Sequence, residues 1–287
     1  MIRLRLSIEL AYQVFDPGCD FIFNVHAAQT DRQRVIEETL TLSQDVPAQI
    51  DTDPATLNRI LRLSARPGPL TLRYAAVVDL EHYVAQPEQI AEVPVPQLPT
   101  RVLGYIYPSR YCQSDRLLRL AMREFGQQWH GYARVQRIRD WVTQHVTFTQ
   151  NTSNSNTSAI DTLVATVGVC RDSAHLMIAM CRALNIPARF TTGIDYGADP
   201  ALGPTDYHAY VEAYLGGRWY LFDPSGTAIP MGFVRFATGR DAADVAFATI
   251  FGNVASGAPR ITIEAIPGAD GRLVTPSLCS EALSTDG

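Results

Sequence analysis

No apolar run in the 287 residues approaches the roughly 18 needed to cross a bilayer, so no membrane-spanning segment is expected. A basic excess is missing as well. With 24 Lys+Arg against 29 Asp+Glu the net charge is -5 and the pI near 5.7, the wrong sign for gripping a nucleic-acid backbone. There is no H-E-x-x-H, C-x-x-C, P-loop glycine-lysine motif or G-x-S-x-G elbow, which leaves zinc-protease, dithiol, nucleotide-hydrolysing and serine-hydrolase chemistry without an anchor. No acidic calcium loop and no internal repeat is visible. Cysteine is scarce, odd in number and scattered, at Cys19, Cys112, Cys170, Cys181 and Cys279. That pattern implies reduced thiols in the cytoplasm and not a disulfide framework, and the N-T-S sequons at Asn151 and Asn156 then carry no weight. The amino terminus, MIRLRLSIELAYQV, alternates Ile2, Leu4, Leu6, Ile8 and Leu10 on one side, as a strand does; a signal peptide would need an unbroken apolar core.

Strand-like runs continue through Arg5 to Val14, Phe21 to Ala27, Arg34 to Leu42 and Leu70 to Asp79, with turn-rich gaps between them, an all-β pattern. The stretch Ala85 to Thr100 carries Pro87, Pro94, Pro96 and Pro99 and reads as a linker. Helical periodicity follows at Ser114 to Phe125, Ala133 to His145, Ala159 to Thr166 and Cys170 to Leu184, with weak helical character at Asp241 to Ile250 and a closing strand at Arg260 to Ala265. The expected organisation is α+β: a β-sandwich with its linker over 1–100, a second domain over 101–270, and a frayed tail over 271–287.

The segment GVCRDSAHLMIAMCRALNIPAR, Gly168 to Arg189, places one cysteine at the start of a helix. Counted from Cys170, the residues Ala174, Met177, Ile178, Cys181 and Leu184 form the three-and-four stripe of a buried helix face. Cys170 therefore falls in or just before the first turn. Free N–H groups and the positive helix end there favour an anion, which draws a thiol toward its reactive thiolate. The same N–H groups can receive the oxygen charge that develops when a carbonyl is attacked.

A second segment, DYHAYVEAYLGGRWYLFDPSG, Asp206 to Gly226, reads as a hairpin turning at Gly216-Gly217. Alternation sets His208, Tyr210, Glu212 and Tyr214 on one face and Ala209, Val211, Ala213 and Leu215 on the other. If the two glycines are the whole loop, Leu215 pairs with Arg218 and Tyr210 lies opposite Asp223. His208 and Asp223 are then diagonal neighbours on one face, roughly 7 Å apart at Cβ, so the carboxylate can orient the imidazole while its other nitrogen faces a thiol.

These segments resemble the transglutaminase-like superfamily of cysteine enzymes, in which G-x-C opens a helix, H-A-W/Y-V-E lies on the next strand and W-x-x-x-D-P on its neighbour. YPSRYCQSD, Tyr107 to Asp115, and GRDAADVAF, Gly239 to Phe247, are similar to bacterial members described as cysteine proteases that carry an N-terminal β domain. The resemblance implies a papain-related catalytic domain with Cys170 as nucleophile, His208 as base and Asp223 as orienting carboxylate. Tyr210 stands where the family often has Trp, and Ser225 where it often has Thr. The implied reaction is thiol-dependent hydrolysis of a peptide or protein amide through a thioester, without cofactor or metal; acyl transfer to an amine and an idle peptide-binding module are the alternatives. Zinc held by Cys170, His208 and Asp223 is set aside, because the helix-start cysteine is explained without it.

Other residues have plainer readings. Cys181 and Cys112 are expected in the core, and so is Trp141. His175, five residues along the helix from Cys170, is turned about 140° away from it. Arg171 and Asp172 form a local ion pair or touch substrate, and Glu212 lies at the rim or contacts substrate. The polar run Asn151 to Ser158 is placed to line a cleft.

Overall fold

Alternation along Ile2–Val14 buries Leu4, Leu6, Ile8 and Leu10 and turns the charged residues between them outward, and this strand is the spine of the first half of the fold. The computed structural model describes residues 1–128, 130–198, 201 and 205–286. One sheet of the N-terminal sandwich runs from Ile2–Val14 to Gly68–Leu80 and then Gln33–Leu42, all antiparallel. The facing sheet runs Ala48–Thr52, Arg59–Ala65, Cys19–Phe23, Ala248–Phe251, with Ala48–Thr52 at one edge. Phe21, Phe23, Leu61 and Leu63 of this second sheet meet Leu4, Leu6, Leu72 and Tyr74 of the first in one dry core. The strands Ala48–Thr52 and Arg59–Ala65 escape the sequence reading: the first is exposed and polar, and the second has apolar residues too few to separate strand from helix.

Three differences concern the C-terminal region. No helix forms over Asp241 to Ile250; Asp241 instead accepts the Tyr111 N–H at 2.9 Å, and Ala248–Phe251 adds an edge strand beside Cys19–Phe23. The closing strand is present as Arg260–Ile266, but it pairs with Ile2–Val14 of the sandwich. Of the tail expected to fray, residues 282–286 are docked. Ala282–Ser284 pairs with Tyr83–Ala85, Ser284 and Thr285 are buried, and Asp286 bonds the guanidinium groups of Arg189 and Arg235. The proline-rich stretch is likewise fastened: two single-turn 3-10 segments form at Pro87–Gln89 and Val95–Gln97, and Glu92 forms an ion pair with Arg134.

The second half is an antiparallel four-stranded sheet in the order Arg218–Phe222, Tyr207–Leu215, Ala188–Asp195, Phe233–Gly239, with helices Ser114–Phe125, Tyr132–His145, Ala159–Ala165 and Cys170–Ala183 beside it. Observed helix boundaries lie within a residue of those read from periodicity. The helix Cys170–Ala183 is buried on every side from Asp172 onward and not on one stripe, because it lies between the sheet and the other helices. Small side chains at Ala209 and Ala213 let it approach the sheet closely. Its buried Arg182 donates to the carbonyls of Ala188, Tyr107 and Arg240, tying three loops to the helix end. The outer strand Phe233–Gly239 leaves unpaired backbone groups at the sheet edge, and the sandwich covers them. Gln33 bonds the Arg235 N–H and carbonyl at 2.9 and 2.7 Å, and Asn58 does the same for Thr238 at 2.9 Å each. The two halves are therefore joined through buried hydrogen bonds from side-chain amides of the sandwich to the edge backbone of the second sheet. Among the described residues no helix is long and apolar enough to cross a membrane.

Candidate active site

Cys170 is the first residue of its helix, and the turn before it explains why the local sequence is G-V-C-R-D. Asp172 folds back so that its Oδ2 accepts the Val169 N–H at 2.9 Å. A Cβ at Gly168 would lie 2.9 Å from the Asp172 side chain, so only glycine leaves room for that cap. Arg171 pairs with Asp172 at 3.1 Å and reaches the polar run upstream, donating to Ser153 Oγ at 3.1 Å and the Asn154 carbonyl at 2.8 Å. Cys170 itself is partly exposed, unlike Cys112 and Cys181, which are fully buried and whose thiols burial pushes up to about 12.

The hairpin has the register read from the sequence: Leu215 pairs with Arg218, Tyr214 with Trp219 and Val211 with Phe222. Just beyond the last pair, Asp223 Oδ1 lies 3.5 Å from His208 Nε2. The structure thus brings His208 and Asp223 together, and Cys170 is close enough to the same imidazole to help raise its pKa. Burial by itself would push the His208 imidazolium down. The charges of Asp195 and Cys170 and the hydrogen bonds of Asp223 and Cys170 outweigh that effect and hold its pKa well above the ordinary 6.5. Burial also opposes ionisation of Asp223, but its bonds to His208 and Ser225 hold it below the usual carboxylate range.

Ser225 does more than replace a threonine. Its N–H and hydroxyl both donate to Asp223 Oδ1, at 2.9 and 2.6 Å, and its Oγ lies 3.4 Å from His208 Nε2. The Ala228 N–H holds the other carboxylate oxygen at 3.1 Å. Thr143 of the neighbouring helix donates to the Pro224 carbonyl at 2.9 Å, fixing the loop that carries all of this.

Asp195, which the sequence reading did not single out, stands on the other side of the ring. Its Oδ2 is 3.8 Å from His208 Nδ1, and its Oδ1 accepts the Tyr210 hydroxyl at 2.8 Å. The available signal was an acidic residue at the end of the segment Ala188–Asp195, but nothing local says which strand lies beside it. Glu212 is not at a rim: it is fully buried and paired with Arg189 and Arg235. His175 is buried in contact with Tyr111 and Phe190, and its Nε2 accepts the Ala242 N–H at 3.2 Å. Trp141 stacks on His145 against the helical core. No group of three or more His, Cys, Asp or Glu side chains suited to holding a metal ion occurs among the described residues.

Comparison with known proteins adds to this geometry. Residues 120–224 match the core model of the transglutaminase-like superfamily, and residues 2–101 match that of the bacterial transglutaminase N-terminal domain. A solved structure from Cytophaga hutchinsonii, described as a "Putative Cysteine Protease", is 38% identical and superimposes with a TM-score of 0.91, covering 99% of this chain and 97% of its own. The periplasmic domain of TgpA from Pseudomonas aeruginosa is 16% identical with a TM-score of 0.39, covering 78% of this chain and 91% of that one. Uncharacterized protein ML0607 of Mycobacterium leprae is 32% identical over 111 residues, which span 37% of this chain and 39% of that protein.

Proposed function

The chain belongs to the transglutaminase-like superfamily, and on that premise we propose that it hydrolyses a peptide or protein amide through Cys170, His208 and Asp223. The observation that carries the proposal is one imidazole 3.5 Å from the buried Asp223 carboxylate and near enough to the helix-start Cys170 for its pKa to be raised by it. His208 takes the thiol proton as Cys170 Sγ bonds the amide carbonyl carbon, and Asp223 at Nε2 keeps the ring oriented. The Cys170 N–H at the helix start is placed to receive the carbonyl oxygen as it gains charge. His208 then protonates the nitrogen, the C–N bond breaks, and an amine leaves a thioester on Cys170. Water adds to the thioester with His208 as base; the C–S bond breaks, the carboxylic acid departs and the thiol is restored. Hydrolysis is favoured over transfer to an amine by the similarity to a protein described as a protease. Five free cysteines and no disulfide support placement in a reducing compartment, the cytoplasm.

Two measurements test the reading. With limiting iodoacetamide, Cys170 should be alkylated faster than Cys279, although Cys279 is the more exposed; burial of its sulfur and the nearby Glu281 raise the Cys279 pKa. His208→Ala should abolish that preference. Mass spectrometry of a glutamine-bearing peptide library should then show carboxylate products whether or not an amine is added, and none with Cys170→Ser, a variant expected to keep its stability within about 1 kcal/mol. The chain contains no lysine, so its own side chains cannot supply the amine of an exchanged product. Amine incorporation would replace hydrolysis by acyl transfer, and turnover by Cys170→Ser would overturn the nucleophile.

A further inference from the structure

Asp195 is 2% exposed, and nothing in the proposed reaction so far uses it. It ends the strand Ala188–Asp195, which pairs with the histidine strand so that Gly193 lies directly opposite His208. A residue opposite in an antiparallel pair shares the face, so Asp195, two residues on, projects to the side of the sheet that carries the imidazole. On its far side the strand has a register shift between Thr192 and Gly193, an irregularity that turns the end of the strand. Gly193 is pressed so closely that a Cβ there would sit 2.0 Å from the Val234 carbonyl and 2.7 Å from the Phe233 ring. The backbone leading to Asp195 is therefore fixed from both sides.

The two carboxylate oxygens differ. Oδ1 accepts the Tyr210 hydroxyl at 2.8 Å, whereas Oδ2 is buried, has no hydrogen-bond partner among the described residues and lies 3.8 Å from His208 Nδ1. A buried carboxylate oxygen left without a donor costs free energy unless a positive charge stands beside it. The protonated ring is that charge. Among the described residues, the ionisable groups acting on His208 are Cys170 from the helix, Asp223 from the loop after the hairpin and Asp195 from the adjacent strand. Tyr210, on the histidine strand itself, acts through Asp195. From the outer strand, Phe233 contributes only its ring against Tyr210, and Arg235 is committed to Glu212 and Asp286.

We propose, building on the reaction proposed above, that Asp195 is a positioning residue that keeps His208 protonated while the thiol is consumed. As Cys170 Sγ bonds the carbonyl carbon, the thiol proton passes to His208 and the ring becomes an imidazolium. The negative charge then lies on the carbonyl oxygen and not on sulfur, yet His208 must hold its proton until the leaving nitrogen takes it. Asp223 compensates the ring at Nε2 only. Asp195 supplies the second negative charge at Nδ1, so the ring does not release its proton before the leaving nitrogen takes it. Burial, opposed by His208 and Tyr210 and aided by Asp223, raises the Asp195 carboxyl to about 7, so the support is strongest from neutral pH upward.

The test is a titration of ring-¹⁵N-labelled protein by NMR. In the unmutated chain His208 should titrate above 6.5 and its resonances should sense a second step that coincides with the Asp195 ¹³Cγ titration. Asp195→Asn, which keeps an acceptor for Tyr210, should lower the His208 midpoint by about one unit, a tenfold loss of proton affinity. The alkaline limb of kcat/KM should move down by the same amount. A single-step His208 curve with no trace of Asp195 would overturn the inference without any mutant, and an unchanged midpoint in a folded Asp195→Asn would do so with one. The two readings fail separately. If His208→Ala leaves Cys170 alkylation untouched, the proposed reaction falls; if alkylation depends on His208 while Asp195→Asn changes nothing, only the role of Asp195 falls.

Discussion

Asp286 should hold the C-terminal segment in place through charge, and Asp286→Asn measures how much. Four side chains meet in one buried cluster: Arg189 and Arg235 each contact both Glu212 and Asp286, with the Arg189–Asp286 and Arg235–Asp286 pairs at 2.5 and 3.0 Å. Two positive charges face two negative ones, and each pair is desolvated together. The asparagine variant leaves two guanidinium groups against Glu212 alone. Breaking a fully buried pair costs about 3–5 kcal/mol. The Asp286 side chain is 23% exposed, so solvent screens part of the excess charge, and about 2–3 kcal/mol is expected here. The same segment bonds both halves of the molecule, since Arg218 donates to the Asp286 carbonyl at 2.7 Å and Thr30 donates to the Thr285 carbonyl at 2.5 Å. Urea unfolding of the variant at neutral pH should therefore show a lower midpoint for both halves, not for one. The control is Glu264→Gln, whose partner Arg5 is at 3.0 Å with both side chains exposed, and which should change stability by less than about 0.5 kcal/mol. The pH dependence follows from the direction of the shift. Burial raises the Asp286 carboxyl, but the two arginines outweigh it and hold the pKa far below the unfolded value of about 3.9. Its stabilisation is complete above about pH 4 and is lost as pH falls further, so wild type and variant should converge in acid. Equal stability of wild type and Asp286→Asn at pH 7 would refute the argument.

Two further outcomes are expected. Cys181→Ser places a hydroxyl in the fully buried helical core and should lower unfolding stability by about 1–3 kcal/mol while leaving the alkylation of Cys170 unchanged; a stable variant with lost Cys170 reactivity would reverse the roles of the two thiols. His26 is buried beside Tyr74, and burial, with the Arg59 charge, lowers its pKa to about 4. The unfolded chain therefore binds a proton that the folded one refuses between about pH 4 and 6.5, and stability falls as pH falls through that range; His26→Gln should flatten the slope by about 1.4 kcal/mol per pH unit, which equilibrium unfolding across the range would detect.

Much of the candidate site was legible because its signals are local. The three-and-four apolar rhythm from Ala174 to Leu184 marks a helix starting near Cys170, and the structure has the helix begin at that residue, with Asp172 capping it as the sequence reading did not foresee. The hairpin register was fixed by two glycines that adopt positive φ, 56° and 89°, which side-chain-bearing residues resist, and every pair then follows by counting. Local pattern also separated the sandwich strands from the later helices, since a period of two and a period of 3.6 bury different residues.

The rest was decided by contacts between distant segments. Alternation identified Arg260–Ile266 as a strand, but either half of the molecule could have accepted it; its pairing with Ile2–Val14 depends on an open sheet edge more than 240 residues away in sequence. The tail reads as frayed because serine, threonine and aspartate carry no apolar pattern, and only the folded sheet presents the arginine pair that Asp286 neutralises. Asp195 has no motif around it. The sequence by itself determined which residues begin the helix and turn the hairpin; only the tertiary structure decided what faces the second nitrogen of His208, because that neighbour comes from a strand whose place in the sheet is set by packing and not by its own residues.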